Sequence, residues 1–491
     1  MKDLHLAFIS NRMTQRTLHL LSVIERTRLF TIGEMAEKMQ VTQRTIANDI
    51  KFIKDYFGDC ITLLSGYHGF YFRENNPLKY QERKQSLLEN ECFFKIIKHI
   101  FLGNYMRVDE LAHQYHFSES TFRRLLAQSS HLLAAYELKW GANPLTIEGS
   151  EENLRKFFKD LYYEGNSLSS KLVPDKKLLA CFVIRLEEKL SENDIGCITA
   201  PASFYYTFYI AIRRASLGFS VTVPIELKEL ARQKKSFVLL YSLKEEIKEL
   251  YGIELSEDEF AWIYLVTICE RTLDREESEK NFYQYFNQGT EITNLTEKYL
   301  KEFELEEKSQ PQARSFLRAF FLSRKINHTL SPVLNKEARH LKEAVMCGAK
   351  ENYQRNFHFL KNNQQEGFLV TPYLEDICAS LTIYSNLVFD FCMAAKKIYF
   401  LIEGDHHINQ QIRARAVQQF GAKHSLTFLT LQSFKQGLLN DQAVDLIVTN
   451  YSPHLADYTI ETEYLLIKTV PDEQDWLQLE KKVNPYRIPM I

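Results

Sequence analysis

Gln43, Arg44, Thr45, Asn48 and Lys51 lie close together and carry the groups needed to read a nucleic acid. An arginine can form paired hydrogen bonds to guanine, and glutamine or asparagine can do the same to adenine. A lysine ammonium and the N–H groups at a helix start suit phosphate oxygens. Ser120, Arg123 and Arg124 form a second set of the same kind, and Tyr67 with His68 a third, at a turn. Such groups read nothing unless a helix or hairpin carries them out of the protein body.

The flanking residues have the pattern of that support. In "TIGEMAEKMQVTQRTIANDI" (residues 31–50), Ile32, Met35, Ala36 and Met39 recur at helical spacing and predict one short amphipathic helix. Val41 falls out of step and Thr42 is an N-cap candidate. Thr45, Ile46, Ile50 and Ile53 then predict a second helix, its apolar stripe opposite Gln43, Arg44, Asn48 and Lys51. Two short helices joined by a tight turn are a helix-turn-helix. A tight helical hairpin inside a helical core would give the same local pattern. "ITLLSGYHGFYF" (61–72) follows, two β-rich runs around a glycine-containing turn, which predicts a hairpin with Tyr67 and His68 at its tip. The sum is a winged helix.

The pattern recurs 76 residues later. In "VDELAHQYHFSESTFRRLL" (108–126), Val108, Leu111, Ala112, Tyr115 and Phe117 stand where Ile32, Met35, Ala36, Met39 and Val41 stood. Ser118 takes the cap position of Thr42, and Thr121, Phe122 and Leu126 those of Thr45, Ile46 and Ile50. A repeat of a whole motif outweighs a single match. "LKWGANPLTIEG" (138–149) predicts a second wing, with strands kept short by its proline.

Composition bounds the rest. A chain of 491 residues is long enough for several domains. It is 45% hydrophobic and 25% charged, with 12 prolines and 17 glycines, which fits a globular protein and excludes a fibrous or disordered one. The net charge of -2 does not mark a nucleic-acid binder, although residues 1–160 hold 22 Lys and Arg against 19 Asp and Glu. Eight cysteines without a CxxC pair predict reduced thiols rather than a disulfide framework. There is no signal-peptide pattern at "MKDLHLAFISNR" and no run of about 20 apolar residues, so a cytoplasmic protein is expected.

"VTQRTIANDIKFI" (41–53) resembles the recognition helix of bacterial regulators of sugar use. The tandem winged helices, with the long helical remainder, resemble the Mga/AtxA family of virulence regulators from Gram-positive bacteria. Within the remainder, "YYTFYIAIRRASLGFSV" (205–221) with "LSEDEFAWIYLVTI" (255–268) resembles a phosphotransferase-system regulation domain. "SFLRAFFLSRKI" with "TPYLEDICASLTIY" does so more loosely. In such domains a histidine accepts phosphate from the carrier protein HPr. Thr207 and Val266 occupy the expected histidine positions in the first domain, and Leu317 and Ile383 those in the second. No histidine lies between His131 and His328, so the resemblance leaves His328, His340 and His358 as the phosphorylation candidates. Solvated surface histidines are the commoner explanation of all three.

From Ala395 strand and helix patterns alternate, which predicts a parallel sheet. The order resembles an enzyme IIB domain of sugar phosphotransferase systems, where a nucleophilic cysteine follows the first strand. Here "IEGDHHINQ" (402–410) puts Glu403 at that position beside Asp405, and no cysteine follows Cys392. Asp405, His406 and His407 do not complete a metal-ligand set. The reading is a mostly α, multidomain fold: winged helix-turn-helix at 1–75, a second helix-turn-helix with a linker helix at 76–158, helical regulation-like domains at 159–282 and 283–393, and a IIB-like α/β domain at 394–491. The expected protein is not an enzyme and needs no cofactor or metal. It is a transcriptional regulator, an activator by resemblance, whose partners are double-stranded promoter DNA, a second copy of itself and HPr or a related protein. The alternatives are a phosphoryl carrier of a sugar-uptake system, an RNA-binding antiterminator, and a chain in which the second winged helix makes only protein contacts.

Overall fold

A computed structural model describes residues 3–89, 91–163, 200–303, 310–429, 444–453 and 462–484. The fold is mostly helical, with three small sheets. The first unit runs α1 (Asp3–Ala7), α2 (Arg12–Thr27), β1 (Leu29–Phe30), α3 (Ile32–Lys38), α4 (Gln43–Phe57), β2 (Ile61–Gly66) and β3 (Gly69–Glu74). Its antiparallel sheet has the order β1-β3-β2, with Gly66 opposite Gly69 and only Tyr67 and His68 in the turn. Gly69 is fixed by geometry: its φ is +120°, and a Cβ there would lie 2.4 Å from the carbonyl oxygen of Phe30 in β1. Glycine alone lets the two strands approach that closely.

Then come α5 (Pro77–Glu89), α6 (Cys92–Phe101), α7 (Val108–Gln114), α8 (Glu119–Ala134), β4 (Lys139–Gly141), β5 (Thr146–Glu148) and α9 (Glu151–Tyr162). The second wing has two three-residue strands. It rests on α8, where the Trp140 indole N–H donates to Ser129 Oγ at 3.0 Å. Both winged helices and α9 share one apolar core, Phe8 to Leu161, joined by Ile210, Val333 and Tyr373 of the helical bundles. From α4 it takes Ile46, Ile50, Ile53 and Phe57, each worth about 1.5–3 kcal/mol on burial.

A second continuous core spans Phe204 to Cys392, so the helices of the two expected bundles pack as one body. The helices Glu151–Tyr162 and Glu276–Phe286 run through the expected domain lines at 158/159 and 282/283. The third core, from Ile398 to Val483, belongs to an all-parallel sheet of order β7-β6-β8-β9, with β6 Lys397–Leu401, β7 Ser425–Phe428, β8 Leu446–Thr449 and β9 Tyr464–Leu466. No described helix is long and apolar enough to cross a membrane.

Candidate nucleic-acid interface

The break between α3 and α4 is made by backbone geometry that a proline or glycine was not needed to signal. Gln40 adopts φ +54°, in the left-handed region, and the Val41 N–H turns back to the Ala36 carbonyl at 3.0 Å. The second copy repeats this 76 residues on: His116 has φ +59°, and the Phe117 N–H reaches the Ala112 carbonyl at 2.8 Å. In each copy the next hydroxyl caps the following helix. Thr42 Oγ1 accepts from the Thr45 N–H and Ser118 Oγ from the Thr121 N–H, both at 3.2 Å. The preceding helices are capped alike, Glu34 accepting from the Thr31 N–H and Glu110 from the Arg107 N–H.

The residues expected to touch DNA are where the sequence placed them. Gln43, Arg44, Asn48 and Lys51 are exposed on α4, with Thr45 half-buried and its hydroxyl 2.9 Å from that of Thr42. Thr45 therefore helps to build the helix start. Among the described residues Arg44 and Lys51 form no ion pair. Tyr67 is fully exposed at the wing tip, its ring packed edge-on against His68 with centroids 5.2 Å apart.

The second copy differs chemically. Ser120, Arg123 and Arg124 are exposed on α8. Arg123, however, is clasped by Glu119 one turn earlier, with Nε and Nη2 donating to Oε1 at 2.9 and 2.7 Å. Glu119 stands where the first copy has Gln43, so it sets a negative charge at a helix start that would otherwise attract phosphate. Only Arg124 of the expected pair is unpaired among the described residues. The Ser120 hydroxyl lies 3.1 Å from that of Ser118.

Sequence reading missed the brace behind α4. Asp49 is buried, and both of its oxygens hold Arg16 of α2, at 2.5 Å (Nε) and 2.8 Å (Nη2). This hydrogen-bonded pair raises the arginine pKa and ties the exposed helix to the body of its domain. The residue 76 positions on is Leu125, so the second copy has no such brace. An acidic residue on the apolar side of a helix was the available signal.

The phosphate-chemistry candidates disperse. His358 is exposed and its Nε2 pairs with the Asn362 amide at 2.8 Å. His328 is half-buried; its Nδ1 has no partner among the described residues and burial lowers its pKa. The His340 side chain lies outside the described residues. Thr207 is buried and donates to the Ser203 carbonyl, and Leu317 is fully buried. In the loop after β6, Asp405 accepts from the His407 and Ile408 N–H groups at 2.9 and 3.2 Å. Its carboxylate caps the helix His406–Phe420 and fills the helix start that a phosphate would use. Glu403, His406 and His407 are exposed, and no group of acidic, histidine or cysteine residues that could hold a metal occurs among the described residues.

Comparison with known proteins agrees with this architecture. Residues 78–162, from α5 to the end of α9, match the Mga helix-turn-helix domain. The chain is 21% identical over 499 residues to the anthrax toxin expression trans-acting positive regulator of Bacillus anthracis, covering 95% of this chain and 97% of that protein. It is also 21% identical over 302 residues to the capsule synthesis positive regulator AcpB of the same organism, covering 59% of this chain and 61% of the relative, about three-fifths of its length. The tandem winged helices thus include an Mga helix-turn-helix domain, in a chain similar over nearly its whole length to that trans-acting regulator.

Proposed function

We propose that this protein is a DNA-binding activator of transcription, and that α4 with the first wing is its principal reader. The observation that carries this is the braced, exposed face of α4, where Gln43, Arg44, Asn48 and Lys51 stand around a capped helix start with no acidic residue among them. Gln43 and Asn48 suit base edges, Arg44 suits either a guanine or a phosphate, and Lys51 suits a phosphate. Tyr67 and His68 reach the backbone or the adjacent groove. The positive regulators to which the chain is similar favour activation over repression.

The clasp of Arg123 by Glu119 favours a secondary role for α8, as an auxiliary phosphate contact through Arg124 or a protein contact. Fluorescence anisotropy on promoter DNA across a salt series separates the cases. Gln43→Ala/Arg44→Ala/Asn48→Ala should lose several-fold affinity or more while remaining folded. Arg123→Ala/Arg124→Ala should lose less, and reduce the salt slope by about 0.9 for each phosphate contact removed. No effect from the first variant would remove α4 as the reader.

In this reading the chain divides into two winged units, two regulation-like helical bundles and a IIB-like module, and the last supports self-association. Exposed Tyr464 and Leu466 on β9 and Val417 on the helix His406–Phe420 supply apolar surface there. The IIB-like part is read as a domain that keeps the fold without the phosphoryl transfer: it has no cysteine, and its helix start is taken by Asp405. Control by HPr would act through His358, the exposed candidate among the described side chains. Peptide mass spectrometry after incubation with the phosphorelay enzymes should find phosphate on His358 alone; unmodified peptides covering His328, His340 and His358 would refute that control.

A further inference from the structure

Outside the DNA-reading face, one cavity collects more cations than acids. It lies where α9 meets the helical bundles and has a volume of about 250 Å³. Five cationic side chains line it against three acidic ones. Two of the five are already matched: Lys156 holds Asp160 at 2.7 Å and Lys159 holds Glu270 at 3.0 Å. Arg155 is committed to Glu151 and Glu259.

Lys336 and Arg324 are different. Lys336 forms no ion pair among the described residues and rests over the Tyr136 ring at 5.1 Å. The acids nearest to it are occupied: Asp160 by Lys156 and the Tyr136 hydroxyl, Asp376 by Lys342 and the Glu337 N–H. Burial pulls its ammonium below the ordinary lysine value. Arg324 reaches Glu337 only at 3.4 Å through Nη1, and its buried Nε has no hydrogen-bond partner. Trp262, only 3% exposed, also lines the cavity, and its indole N–H has no partner either. All three are donors, two of them buried N–H groups without a partner and the third the half-buried Lys336 ammonium. Buried donors without acceptors are rare and destabilising, so their convergence on one cavity calls for an acceptor-rich ligand.

We propose that this cavity binds a small phosphate-bearing anion. Lys336 and Arg324 supply charge, Trp262 a neutral donor, and Ile210, Val266 and Leu334 an apolar wall for a short organic portion. The volume, just below the common range of ligand pockets, sets the size limit. Because α9 closes the second winged unit and the helix Gln310–Leu330 belongs to the bundles, the ligand would fasten one to the other.

Titration calorimetry of the full chain without DNA, at fixed ionic strength, tests this with inorganic phosphate and separately with glycerol 3-phosphate. Saturable binding of one ligand per chain is expected, weakened at least tenfold by Lys336→Met and by Arg324→Gln. Arg339→Gln, which breaks only a surface pair with Glu343, should leave it unchanged. Tighter binding of the ester marks an organic phosphate as the ligand class, and equal binding marks phosphate itself. Ligand-free Lys336→Met should melt no lower than the parent, since it removes a half-buried cation that forms no ion pair among the described residues, which separates loss of the site from loss of the fold. Absence of saturable binding, or binding that both variants leave intact, overturns the proposal. The measurement contains no DNA, so a failure of the DNA-reading proposal would leave it unaffected.

Discussion

Replacing Glu259 by glutamine should loosen the joint between the DNA-binding half and the helical bundles. Glu259 is 1% exposed and takes Arg155 with both oxygens, at 2.5 and 2.9 Å. One of those oxygens also accepts the Val221 N–H at 3.1 Å. Arg155 in turn donates to Glu151 at 2.9 Å, and Glu151 also receives Arg214 at 2.7 Å. Two guanidinium groups thus face two carboxylates, all nearly dry. Glu259→Gln keeps the shape but leaves two guanidinium groups on one carboxylate. Stranding a buried charge costs about 3–5 kcal/mol. Glu151 still shares the load, so the lower end, about 3 kcal/mol, is expected. For a cooperative unit of about 150–250 residues each kcal/mol lowers Tm by about 2–4 °C, so a fall of about 6–12 °C should appear in the first melting transition. Arg155→Met/Glu259→Leu removes both charges and should lie within about 2 kcal/mol of the parent, the remainder reflecting the Val221 N–H left without an acceptor. Circular dichroism melts of the parent, Arg155→Met, Glu259→Leu and the double variant close a cycle and give the coupling directly. A Glu259→Gln melt within a degree of the parent, or a double variant no better than the single, would refute the account.

Two further outcomes follow from local geometry. Gly69→Ala should distort the first wing, because the new Cβ meets the Phe30 backbone at a φ of +120°, whereas Gly252→Ala, at +66° with nothing within 4 Å, should cost only about 1 kcal/mol. Equal melting temperatures for the two variants would contradict this. The C-terminal α/β unit should weaken as pH falls below about 6.5, since burial lowers the pKa of folded His424 from that ordinary value. Its Nδ1 accepts the Lys396 N–H at 3.0 Å and Nε2 faces Asn484 at 3.1 Å, so a second ring proton would meet a donor. The unfolded chain takes up the proton first, and the stability present above pH 6.5 is lost toward the lower folded pKa. His424→Asn should flatten that part of a stability–pH profile, and an unchanged slope would exclude His424 as the cause.

What the sequence made legible is what recurs at short range. The 76-residue offset places the same turn, cap and apolar stripe in both copies, and the hairpin register follows from two glycines around Tyr67 and His68. The left-handed Gln40 and His116 were invisible as residue types, because neither is glycine; only the abrupt change of apolar phase betrayed the turn. Arg123 illustrates a signal present and unused: Glu119 four residues earlier is the spacing at which helix side chains pair. Asp405 is another, a carboxylate directly before a helical run and therefore a cap. Arg155 and Glu259 had no such signal, being 104 residues apart in the chain.

The two copies share a backbone and differ in what restrains and charges it, and that difference argues for unequal roles. An exposed recognition helix must resist being pulled from its domain when it grips phosphate, and in α4 the Arg16–Asp49 pair opposes that pull beside four apolar anchors. The second helix holds its position instead through the Trp140–Ser129 contact with its wing, and the Tyr136 hydroxyl, in the turn that leads to the wing, donates to Asp160 of α9 at 2.9 Å. Through α9 it is continuous with the Arg155–Glu259 joint. A helix so connected is poorly placed to act as an independent reader and well placed to sense the helical bundles. The first copy is mechanically grounded in its own domain and chemically open to DNA. The proposed division of labour therefore rests on Asp49 against Leu125 and Gln43 against Glu119, two differences within one repeated frame.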